Sequence, residues 1–217
     1  MARPREFDEA EALAKATEVF ALNGYQPTSL DDLLAKMDIS KSSFYATFDS
    51  KHSLFLRCLR HHASVSHKAI SDLLGSTGLL EAIHQLLGMA ADSTGEGADQ
   101  NGCMLFSTAI ELSSRDEEVA RAVREALDGV EELYYGRLRE AQSNGDISDD
   151  LDVRQISRLL ITLSGGLTVM SRAYTDPRAV RREAEFLGQL VEHLLSLGSF
   201  GLPSPKRSLE PKRKGRA

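Results

Sequence analysis

Between Asp38 and Phe55 the chain reads DISKSSFYATFDSKHSLF, a stretch crowded with groups that can do chemistry. Hydroxyls come from Ser40, Ser42, Ser43 and Thr47, a phenol from Tyr45, and ammonium groups from Lys41 and Lys51, while Ala46 leaves a bare methyl among them. A serine hydrolase would need a histidine base beside its nucleophile. No histidine lies within a helical turn of Ser40 or Ser42, and no Gly-x-Ser-x-Gly or paired-carboxylate pattern accompanies them, so an enzyme is not expected. Short hydroxyls and lysines suit a surface that meets phosphates, because each can donate to an anionic oxygen.

A short helix must position these groups. Phe44 and Phe48 are four apart and share one helical face, which can anchor the helix while Lys41, Ser42, Ser43, Ala46 and Thr47 turn outward. Upstream, the spacing of Leu13, Ala16, Thr17 and Phe20 predicts a helix over 7–23, stopped by Asn23-Gly24. A second helix opens at PTSLDDLLAKM, where Thr28 or Ser29 can cap free amides and Asp31 and Asp32 sit near the positive end. Leu30, Leu33 and Leu34 form its apolar stripe; after a break at Asp38-Ile39, Ser40 caps the third helix, and a long fourth starts near Asp49-Ser50 and runs toward Leu74. On pattern alone this is either a helix-turn-helix, whose second helix enters the major groove, or a corner of a helical bundle with a solvated serine face.

The rest of the chain also reads as helix. Segments at 79–91, 103–112, 117–142, 153–174 and 178–197 carry helical periodicity, and DSTGEGADQNG between the first two is a loop by composition. Val119, Val123, Leu127, Val130, Tyr134 and Leu138 make one stripe, and Asp176-Pro177 splits the last pair at a position where proline suits a first turn. No stretch alternates as a strand does, so the expected class is all-α. After Gly198 the sequence is rich in Pro, Lys and Arg without apolar spacing, which reads as a disordered basic tail.

Composition narrows the setting. The chain has 217 residues, 41% of them apolar, enough for a sizeable core. It has no long uncharged apolar run for a membrane span, and its start, MARPREFDEAEALAK, lacks a signal core. Cys58 and Cys103 show no metal or CxxC spacing, so a reducing cytoplasm is expected. His61, His62 and His67 have no zinc-pair spacing and read as exposed helix-surface residues; neither a metal nor a cofactor is expected. The net charge of −6 is uneven: residues 203–217 hold six basic residues and one acidic, leaving the remainder near −11. Residues 1–60, with eight basic and nine acidic side chains, could read DNA only by gathering bases on one face.

The stretch GYQPTSLDDLLAKMDISKSSFYATFDSKHSLF resembles the DNA-binding signature of the tetracycline-repressor family of bacterial regulators. The matches are Gly24, Tyr25, Thr28, Ser29, Ser40, Lys41, Phe44, Tyr45, Phe48, Ser50, Lys51 and Leu54. The resemblance implies an all-α protein with an N-terminal three-helix helix-turn-helix domain at 1–49, a helical ligand-binding and dimerisation domain at 50–200, and the tail at 201–217. It further implies a homodimeric repressor on a double-stranded operator. Thr28, Tyr45, Thr47 and Lys51 would hold phosphates, and Lys41, Ser42 and Ala46 would face base edges, beside Ser40 and Ser43. Two residues depart from the pattern. Asp38 stands where glycine is usual, although aspartate tolerates a left-handed turn, and Ser42 replaces another glycine.

By the same resemblance a small-molecule effector would bind among the later helices, with Cys103, Met104, Phe106, Tyr134 and Met170 as candidate contacts. Cys103 follows Asn101-Gly102 at a helix start, where amide dipoles lower a thiol pKa, so redox or electrophile sensing is the alternative mode of release. Cys58 reads as core. The sequence itself supports pairing. Ile156, Leu159, Leu160, Leu163 and Leu167 line one helix, and Phe186, Leu187, Leu190, Val191, Leu194 and Leu195 line the next. Four such helices make a bundle in which Leu159, Leu163, Gly166, Leu187, Leu190 and Leu194 form the seam. Gly165-Gly166 costs helix stability and marks a close approach.

Overall fold

Asp8 opens the first helix by accepting hydrogen bonds from the Ala10 and Glu11 amides, and Gly24, at φ +81°, ends it. The computed structural model describes residues 7–92 and 104–197. Among the described residues the order is α1 (Glu9–Asn23), α2 (Leu30–Met37), α3 (Lys41–Phe48), α4 (Lys51–Ser76), α5 (Leu79–Ala91), α6 (Met104–Glu111), α7 (Glu117–Ser143), α8 (Val153–Ala173) and α9 (Pro177–Leu197). Pro177 takes the first position of its helix, as the sequence predicts.

Among the described residues two apolar cores result. Phe20, Leu33, Phe44, Phe48, Phe55 and Leu59 centre the first, which α6 and the early part of α7 complete through Met104, Leu105, Val119 and Val123. The second joins the end of α4 to α5, the later part of α7, α8 and α9 through Leu74, Ile83, Tyr134, Leu160, Val180 and Val191. Helices α4 and α7, 26 and 27 residues long, contribute to both cores. Around them α1 packs on α2 and α4, while α5 lies between α8 and α9.

Helical glycines mark where side chains of neighbouring helices press closest. A Cβ on Gly165 would lie 2.6 Å from the Phe106 ring, and one on Gly129 would lie 2.3 Å from the His67 ring. Gly166, by contrast, faces open space, so the close approach expected at Gly165-Gly166 belongs to Gly165 and is made by a ring of α6 rather than by backbone. The histidines are also less exposed than their spacing suggests. His62 is buried, which with the neighbouring His61 holds it down to about 4, and His67 Nε2 meets the Ala126 carbonyl at 2.7 Å. Beyond α7, the Gln142 amide donates to the carbonyls of Ser148, Asp149 and Leu151 at 3.0–3.2 Å, pinning the turn into α8. No helix among the described residues is long and apolar enough to cross a membrane.

Candidate nucleic-acid interface

Ser29 and Asp32 cap α2 reciprocally. The Ser29 hydroxyl accepts from the Asp32 amide at 3.1 Å, and Asp32 accepts from the Ser29 amide at 2.9 Å. Asp38 then turns the chain at φ 56°, ψ 49°, the left-handed conformation in which its own amide donates to the Leu34 carbonyl. The aspartate thus does the work that glycine usually does. Leu33 and Met37 are the buried residues of α2, with Leu30 and Leu34 packed at the edge of the core.

The cap of α3 is a hydroxyl cluster. Ser40 Oγ accepts from the Ser43 amide at 3.1 Å and lies 2.9 Å from both the Ser42 and the Ser43 hydroxyl oxygens. Phe44 and Phe48 are fully buried beneath the helix, their rings 5.7 Å apart. Lys41, Ser42, Tyr45 and Ala46 are exposed, and Ser43 and Thr47 are half-buried. One helix therefore presents a lysine, a phenol, a methyl and several hydroxyls over an apolar base.

Two residues sit differently from their expected roles. Thr28 is only 2% exposed, and its hydroxyl donates to the Gly24 carbonyl at 2.7 Å. It locks the loop before α2 and does not face outward; Ser29 is the exposed hydroxyl at that helix start. Lys51, the first residue of α4, rests with its ammonium 4.3 Å from the centre of the Tyr25 ring. Burial lowers its pKa from the ordinary lysine value, and the Glu111 carboxylate opposes that fall.

The loop under Lys51 and the end of α1 are tied to the later helices. The Tyr25 and Gln26 amides donate to the Glu111 carboxylate of α6 at 3.0 and 2.7 Å. His52 Nε2 lies 2.7 Å from an Asp116 oxygen, the residue that caps α7, and Arg172 of α8 donates to the Ala21 carbonyl at 3.2 Å. Sequence reasoning found none of these links, because no periodicity pairs residues so far apart.

Among the candidate effector contacts, Met104 and Tyr134 are buried, Phe106 lies against Gly165, and Met170 packs at the edge of the second core. Burial pushes the Tyr134 phenol up to about 12, with the Ser164 hydroxyl pulling the other way. A cleft of about 290 Å³ opens elsewhere, between α4 and α7, lined by Ser71, Leu74, Gly75, Leu133, Arg137 and Glu140, and none of the candidate contacts lines it. Cys103 lies outside the described residues, as does the basic tail. Cys58 is fully buried, and burial pushes its thiol up to about 12, the setting of an inert core cysteine.

Comparison with known proteins gives this geometry a context. Residues 12–58 match the family described as bacterial regulatory proteins of the tetR family, and residues 80–187 match the tetracyclin repressor-like C-terminal domain. The chain is 30% identical over 178 residues to YezE of Bacillus subtilis, an uncharacterised HTH-type transcriptional regulator; the match covers 81% of this chain and 92% of that protein. ComR of Escherichia coli, an HTH-type transcriptional repressor, is 26% identical over 172 residues, 78% of this chain and 82% of its own. Among solved structures, a cysteine-substituted form of the regulator CifR in complex with a 26-base-pair operator superposes with a TM-score of 0.76. It is 26% identical and covers 87% of this chain and 98% of its own.

Proposed function

This chain belongs to the tetracycline-repressor family of bacterial transcriptional regulators, and from that premise we propose that it acts in the cytoplasm as a homodimeric repressor. Each subunit lays α3 in a major groove of a pseudo-palindromic operator, and a small molecule releases it. The observation that carries this reading is α3 itself, whose outer face bears Lys41, Ser42, Tyr45 and Ala46 while Phe44 and Phe48 seal its base. Lys41 donates to guanine, and the Ala46 methyl meets a thymine methyl. The Ser42 hydroxyl, bonded to Ser40, stays close to the helix, so it need not hold the backbone away from DNA. Tyr45, Thr47 and Lys51 hold phosphates, Lys51 by swinging off the Tyr25 ring, and the amide end of α2 serves where the buried Thr28 side chain does not.

We divide the chain by role at 1–49 for DNA and 50–200 for effector and pairing, with the first core and the Glu111 contact linking the two. The pairing face comprises Leu159, Leu163, Gly166, Leu187, Leu190 and Leu194. Its support is the apolar surface on α8 and α9, where Val169, Phe186, Leu190 and Leu197 are 43–58% exposed. Met104, Phe106, Tyr134 and Met170 contact the effector. A ligand that favours a form with wrongly spaced reading helices draws the protein off DNA by its differential affinity alone.

The test is selection by the purified protein from a pool of random duplexes. The expected product is a pseudo-palindrome whose half-sites lie about 34–36 Å apart, or a multiple of that. A pool that enriches nothing, or only isolated half-sites, rules the reading out.

A further inference from the structure

Helix α3 has only eight residues, and its buried anchors are Phe44 and Phe48. Two rings on one face resist lifting but resist rocking poorly, and the far end of the helix carries Lys41 and Ser42. A tilt of about 10° pivoting at Thr47 moves Lys41 by roughly 1.5 Å over the ~9 Å of helix between them. Base-edge hydrogen bonds do not tolerate such a shift, since a productive constellation must be held to about 0.5 Å.

One side chain bears on that pivot from outside the helix. Arg57, on α4, points a guanidinium nitrogen at the Thr47 carbonyl, 3.4 Å away, in the last turn of α3. Its guanidinium carbon lies 4.8 Å from the centre of the Phe48 ring, and its other terminal nitrogen is paired with the Glu9 carboxylate at the start of α1. A single planar group on α4 therefore touches both α3 and α1. Its charge suits the negative end of α3, and its fork matches one carbonyl and one carboxylate at once, as a lysine's point charge cannot. Just beyond, the chain reverses through Asp49 at φ +61°, so the link to α4 is sharp and the guanidinium braces it from the side.

We infer that Arg57, held by Glu9, is a positioning residue for operator recognition: it fixes the tilt of α3 and thereby where Lys41 and Ser42 meet the bases. The inference rests on the DNA-binding reading of α3. With its guanidinium committed to Glu9 and Thr47, Arg57 is not itself a phosphate contact.

The experiment compares Arg57→Met, which keeps an apolar stem over Phe48, with Glu9→Gln and with the double variant. Each is titrated against the duplex that the wild-type protein selects and against a random duplex, over a range of salt. Arg57→Met should lose roughly tenfold or more on the selected duplex, the scale of one good base contact, while random-duplex affinity and its salt slope stay unchanged. Glu9→Gln should lose less, and the double variant no more than Arg57→Met, because the pair acts as a unit. Arg57→Lys should recover only part of the loss. Equal losses on both duplexes with a shallower salt slope would make Arg57 a phosphate contact and overturn the inference. A lower melting temperature with unchanged affinity on both duplexes would reduce it to packing and overturn it equally. Should Arg57→Met fail to fold, Glu9→Gln carries the same comparison from the start of α1. A wild-type protein that selects no duplex overturns the DNA-binding reading itself, and this inference with it.

Discussion

Lys51 rests on one partner and is proposed to meet another. Its ammonium lies on the Tyr25 ring, close enough to Glu111 to feel that carboxylate, yet it is the first residue of α4 and sits beside the reading helix. A lysine stem is flexible, and its cation–π contact is worth only about 0.5–1 kcal/mol when partly exposed, less than a charge-assisted bond to phosphate. DNA should therefore win the ammonium. Lys51→Ala is expected to weaken binding to specific and random duplexes alike, with the log–log salt slope falling by about 0.9 for every phosphate that each half-site then leaves unneutralised. An unchanged affinity and slope, with a lower melting temperature, would show that Lys51 only lids Tyr25. The motif spacing picked out Lys51 but not its resting place, because the contact depends on Tyr25, which lies 26 residues earlier in the chain. Thr28 is the converse case. Its type suits a phosphate, but whether a hydroxyl faces out or back to Gly24 is settled by packing.

Elements were legible where their causes are local. Ser29 with Asp32, the left-handed Asp38 and the Ser40 cap each act within a few residues, so the boundaries of α2 and α3 follow from the sequence. The stripe on α7 was legible for the same reason, and Val119, Val123, Val130, Tyr134 and Leu138 are buried as their period predicts. Which side chains meet across helices was not. Glu111 reaches amides 85 and 86 residues away, and Arg57 reaches Glu9 across 48. Gly165 is a further instance, because a glycine pair announces that space is needed without saying which of the two provides it. Phe106 fills the space over Gly165. Gly165→Ala should cost about 1–3 kcal/mol through overpacking against that ring. Gly136→Ala, in open space on α7, should instead gain roughly 0.5–1 kcal/mol from helix propensity. Denaturant melts that rank the two variants alike would mean that Phe106 yields without cost and that α6 is not pinned to α8.

At the scale of the molecule, the apolar stripes on α8 and α9 divide into buried and exposed sets that the sequence leaves merged. Val191 and Leu195 turn inward to the second core, while Phe186 and Leu190 of the same helix remain exposed. A period of 3.6 cannot separate them, since a helix buried on both flanks and one buried on a single flank show the same recurrence. The division makes Leu190 the better probe of pairing, because Leu163 also packs against the subunit's own core. With 43% of Leu190 exposed, Leu190→Arg should fold as a monomer at little cost, its charge held in water. In a dimer seam that charge would be buried without a partner, which is strongly unfavourable. Sedimentation should therefore report a monomer with an unchanged melt at low concentration. Binding to the selected palindrome should collapse to the level of a single half-site, because one reading helix no longer delivers the other. A Leu190→Arg protein that still sediments as a dimer and binds the palindrome as tightly as the parent would place the seam on another face.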